Sequence, residues 1–170
     1  MTISEQTSIL LEAAEHDFLQ PEDIVRWADA VIVAMEKPPG WVIELSTLSS
    51  SHLVDFVSSL RAEAPSALSM HRRIQIVVLA HSTGMVSLIN LLPKLFHIMI
   101  HEEVLEGKKL QRDALDEQLR DTLVEWDCQE DLDVIELPLR VKFEALFQEY
   151  LADAHDVAAV LSWKTAAMKT

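Results

Sequence analysis

Apolar residues recur along this chain at intervals of three and four, the spacing of one face of an α-helix. Thr7, Leu10, Leu11, Ala14 and Phe18 form such a stripe over residues 4–19. Pro21 suits a first helical position, and Ile24, Ala28, Val31, Ile32 and Met35 then share a face. Glu22 stands four residues before Arg26 on the opposite side, the order that favours an ion pair. Lys37-Pro38-Pro39-Gly40 stops that helix. Trp41 to Leu48 fits either a short helix or a strand. The serines at 49–51 can cap an element carrying Leu53, Phe56, Val57 and Leu60, which Pro65 ends. Ser66 can cap the next, where Met70, Ile74, Val77, Val78 and His81 align ahead of a stop at Gly84.

Beyond Gly84 the pattern changes. Of the 16 residues from Met85 to Ile100, 11 are apolar, so a helix there is greasy all round and belongs inside a bundle. Pro93 kinks that helix or lies in its first turn after Asn90, and Gly107 ends it. Lys108 to Trp126 is amphipathic: Leu115, Leu119, Leu123 and Trp126 face in, while Arg112, Asp116 and Arg120 pair outside. Asp127 to Leu137 reads as an acidic loop. From Pro138, the stripe Leu139, Phe143, Leu146, Phe147, Tyr150, Ala154, Val157, Ala158 and Leu161 predicts one helix on the order of 40 Å long. The expected fold is all-α: one domain over residues 1–170, a compact bundle of about six to eight helices around the apolar segment 68–100.

Composition supports that reading. The 170 residues include only 3 glycines, too few for the many turns of a sandwich, barrel or doubly wound sheet. Cys128 is the single cysteine, which excludes an internal disulfide and a cysteine metal cluster. Ile74 to Pro93 is uncharged, but its polar side chains fit a buried helix better than a membrane span. No Lys or Arg occurs before Arg26, so no secretory leader is expected, and a cytoplasmic location is. The net charge is −14, concentrated at the two ends. Such a field repels nucleic acid and anionic lipid and speeds encounter with a basic protein.

Three groups of residues carry candidate chemistry. Ala80-His81-Ser82-Thr83-Gly84, after the β-branched run Ile74 to Val78, resembles the nucleophile elbow of α/β-hydrolases. That resemblance implies Ser82 as nucleophile, His155 as base and Asp133 as its orienter. Against it, Met85 follows Gly84, no His-Gly or Gly-Gly stretch supplies oxyanion donors, and His155 falls inside a helical stripe. His97 and His101, four residues apart, could chelate a metal from one helix face. Yet none of the 7 histidines has a glutamate three residues before it, as a di-iron bundle requires, and Ile98 stands where a zinc protease needs glutamate. Asp127, Glu130, Asp131, Asp133 and Glu136 form an acidic cluster without the central glycine of a calcium loop, which leaves a solvated loop or a docking patch for a basic partner.

Asp23-Ile24-Val25-Arg26-Trp27-Ala28-Asp29, followed by Pro38-Pro39-Gly40-Trp41-Val42-Ile43-Glu44-Leu45-Ser46, resembles a segment of small uncharacterised bacterial helical proteins, some of them found beside toxin–antitoxin genes. The resemblance implies no catalytic residue. Physically, the segment reads as a helix, a proline turn and a short returning element, with Trp27 and Trp41 packed at the corner. The functional expectation is a protein-interaction role without cofactor: immunity-like masking of a basic partner through the cluster 127–136. The alternatives are a serine hydrolase using Ser82 and a metal-binding bundle through His97 and His101.

Overall fold

The computed structural model describes residues 1–48, 52–64, 67–101, 114–128 and 135–167. The protein is all-α. Among the described residues there are nine α-helices and no strands. They are α1 (Ile3–Glu15), α2 (Pro21–Ala34), α3 (Gly40–Thr47), α4 (Leu53–Glu63), α5 (Met70–Ser82), α6 (Leu88–Phe96), α7 (Ala114–Asp127), α8 (Leu137–Ala152) and α9 (His155–Ala167), with a π-helical turn His97–His101 after α6. They gather into two units, Met1–Leu68 with Val160–Thr170, and Ser69–Ala159.

In the first unit α1 packs on α4 and α2 on α3. Thr2 and Glu5 open α1 with a reciprocal capping box, the Glu5 carboxylate accepting from Thr2 N–H at 2.6 Å. The helix closes as a Schellman turn. Phe18 N–H reaches Ala13 O, Asp17 N–H reaches Ala14 O, and Asp17 takes a φ of 62° between them. Pro21 is the first residue of α2, as its fixed φ favours. Arg26 lies 4.0 Å from Asp23 instead of pairing with Glu22. The residues left open between helix and strand, Trp41 to Leu48, are helical: α3 follows Pro39 and buries Val42 and Leu45. Leu10, Ala13, Ile24, Ala28, Val42, Phe56 and Leu60 form this unit's core.

In the second unit α5 packs against α6 and α8, α6 against α7, and α7 against α8. Ile74 to Ala80 are buried without a break, so α5 is enclosed on every side. Ser69 caps α5, three residues later than the expected start at Ser66, which lies outside the described residues. Gly84, with φ 79°, ends it: Gly84 N–H bonds His81 O and Met85 N–H bonds Ala80 O. Ser87 caps α6, and Pro93 sits inside it. Proline has no N–H for the helical ladder, and the wider π turn follows four residues later. The expected end at Gly107 lies outside the described residues.

The single long helix expected from Pro138 is two. Asp153 ends α8, its N–H bonding Leu151 O, and α9 begins at His155. Aspartate competes for backbone partners and favours such a break. The stripe runs across it because Tyr150, Ala154 and Val157 are all buried, so side-chain spacing alone did not register the change in backbone. Asp116 is a second correction. It is 3% exposed, although the pattern set it outside; Arg112, its expected partner, lies outside the described residues.

Candidate functional site

In the second unit, α7 and α8 run antiparallel: Asp116 meets Tyr150 at one end, and Glu125 meets Lys142 towards the other. Tyr150, fully buried, donates from its phenol to Asp116 Oδ1 at 2.7 Å. His71 Nδ1 stands 3.6 Å from the same oxygen, and its ring lies 5.0 Å from that of Tyr150. Gln75, also buried, donates to the backbone carbonyl of Tyr150 at 3.2 Å and accepts from Arg72 at 3.1 Å. Arg72 in turn reaches Asp156 at 3.0 Å. The result is a polar chain that is buried at Gln75, Tyr150 and Asp116, on α5, α8 and α7, and reaches the surface at Arg72 and at Asp156 of α9. A buried carboxylate is tolerated only where donors meet it, and the Tyr150 phenol supplies one to Asp116.

The groups expected to carry catalysis lie elsewhere. Ser82 is the last residue of α5, not the apex of a strand-to-helix bend, and its hydroxyl donates to Leu79 O at 2.9 Å. His81 Nδ1 lies 2.9 Å from Val86 O, and its ring meets Phe147 edge-on. His155 is exposed at the start of α9, and Asp133 lies outside the described residues. His97 is exposed on the π turn that also carries His101. Among the described residues no three His, Cys, Asp or Glu side chains cluster to hold a metal, and no helix is long and apolar enough to cross a membrane.

Of the acidic cluster expected to dock a partner, Asp127 is exposed at the end of α7 and Glu136 is exposed at the N-cap of α8. Glu130, Asp131 and Asp133 lie outside the described residues.

The first unit contains a cleft of about 250 Å³ lined by Trp41, Glu44, Leu45, Leu48, Ser59, Ala62 and Glu63. Positions 41, 44 and 45 share one face of α3, with Leu48 at its C-cap, and 59, 62 and 63 share one face of α4. Both helices therefore present a carboxylate to the same hollow. Trp41 stacks on Trp27 with ring centroids 6.1 Å apart and planes 28° from parallel, which is the corner packing expected of the two indoles. Trp27 donates from its indole N–H to Gln6 at 3.0 Å, and the Ser46 hydroxyl donates to Asp29, tying α3 to α2. Sequence reasoning placed Trp41 at the corner with Trp27 but did not reach this cleft, which also needs α4. Helical spacing puts Glu44 one turn from Trp41, but the segment was not resolved between helix and strand.

No protein-family model matches this chain, and no curated protein or solved structure is significantly similar to it.

Proposed function

We propose that this protein is a non-catalytic interaction module whose carboxylate surface binds and masks the basic face of a partner protein. The supporting observation is an uncompensated acidic surface. The chain has 28 acidic against 14 basic residues. Glu22, Glu36, Glu44, Glu63, Asp127, Glu136, Glu144, Glu149 and Asp153 are exposed and form no ion pair among the described residues. Exposed like charges repel one another and weaken the fold that carries them. A cationic partner relieves that repulsion and is drawn in faster by it. The carboxylates would then occupy the positions that phosphates take on a basic, nucleic-acid-binding surface.

The test is displacement. A basic protein encoded beside this one is loaded with a labelled oligonucleotide, and this protein is titrated in. Release of the oligonucleotide, weakened by added salt, is the expected result. Failure to release it, or release indifferent to salt, removes the reading.

A further inference from the structure

The geometry points to the cleft between α3 and α4 as the seat of one arginine or lysine side chain projecting from the basic partner. This rests on the function proposed above and names the place where that partner is gripped.

The lining combines two attractions for one kind of group. Glu44 and Glu63 supply acceptors from two different helices, and a charge-assisted hydrogen bond is about twice as strong as a neutral one. Trp41 adds an indole, the best aromatic partner for a cation. Leu45, Leu48 and Ala62 offer apolar surface to the methylene stem that arginine and lysine carry behind the charge. An anion would meet two carboxylates here, and a purely apolar group would strip them of water without replacing it.

Nothing within the two helices satisfies those carboxylates. α3 contains no basic residue. Arg61, the basic residue of α4, pairs with Glu15 at 2.5 Å. Neither Glu44 nor Glu63 has an ion pair among the described residues.

Size favours a side chain over a metabolite. The cleft, about 250 Å³, falls below the roughly 300–1,000 Å³ of small-molecule pockets. Its wall is also held in place before anything binds. Trp41 is fixed by stacking on Trp27, Trp27 by its bond to Gln6, and α3 by the Ser46–Asp29 contact. A wall already ordered loses little entropy when it closes on a ligand.

The experiment titrates a short polyarginine peptide into the full chain labelled with 15N-tryptophan. The four indole signals are assigned by the Trp27, Trp41, Trp126 and Trp163 to Phe variants. The signal of Trp41 should move most. Glu44→Gln with Glu63→Gln, which keeps side-chain shape, should weaken binding about fivefold or more. Glu117→Gln with Glu125→Gln removes the same charge from exposed positions of α7 that are not among the unpaired carboxylates, and should weaken it less than about twofold. Ser59→Lys, which sets an ammonium at the cleft wall, should weaken binding as the first pair does and provides a second route should that pair fold poorly. Equal weakening by both glutamine pairs, or a Trp41 signal that stays in place while the peptide binds, overturns the assignment of the cleft and leaves the acidic-surface reading standing. No binding by the unaltered protein at low salt overturns both.

Discussion

Tyr150 on α8 donates a 2.7 Å hydrogen bond from its phenol to Asp116 on α7, and both side chains are buried. The phenol and the carboxylate therefore satisfy each other in a core that water does not reach. Tyr150→Phe keeps the ring and removes only the donor, taking one hydrogen bond from the buried Asp116 carboxylate. Loss of a donor to a buried acceptor costs about 1–3 kcal/mol. Urea denaturation should show that loss as a lower midpoint with an unchanged slope. A variant as stable as the parent would mean that the bond does not form.

Lys142 and Glu125 join the same two helices but sit about half in solvent, with side chains 52% and 53% exposed. Ion pairs of that kind contribute about 0–1 kcal/mol. Lys142→Ala should therefore cost much less than Tyr150→Phe, and the comparison checks whether burial decides how much each contact matters. Equal losses in thermal melts would contradict it.

Asp17 holds a φ of 62° at the end of α1, where glycine is the usual residue. The left-handed region is costly for a side chain that carries a Cβ, although aspartate tolerates it better than most. Asp17→Gly should stabilise the protein by about 0.5 kcal/mol, a small rise in the denaturation midpoint. Gly84 has the same role after α5, with φ 79°, so Gly84→Ala should destabilise by about 1 kcal/mol.

Gly40 is the opposite case. It is the first residue of α3, and a Cβ built on it meets no atom within 4 Å. Alanine there narrows the unfolded ensemble without a clash. Gly40→Ala should raise stability by about 0.4–1 kcal/mol, read as a higher midpoint in the same denaturation assay.

The helical class was legible because burial of one face enforces the 3.6-residue period on α1, α2 and α4. Element ends were legible where chemistry marks them, as at Pro21 and Gly84. The break at Asp153 was not, since the apolar stripe passes through it. Asp116 shows the limit of sorting residues by polarity. It lies three, seven and ten residues before Leu119, Leu123 and Trp126, so it shares their inward face and its spacing pointed inside while its charge pointed out. The partner that reconciles the two, Tyr150, is 34 positions away and leaves no local mark. The Trp27–Trp41 corner could be read because its halves are close in sequence and joined by a proline turn. The cleft beside it depends on α4 packing near α3, which no local pattern reports.

The most direct measurement is the affinity of the full chain for a basic protein encoded beside it, taken by calorimetry over a series of sodium chloride concentrations. Screening shortens the reach of exposed charges to about 8 Å at physiological ionic strength. The account predicts a dissociation constant that rises steadily with salt, by about tenfold or more between roughly 0.05 and 0.3 M. An affinity that stays constant across the series, or no complex at the lowest salt, would contradict it.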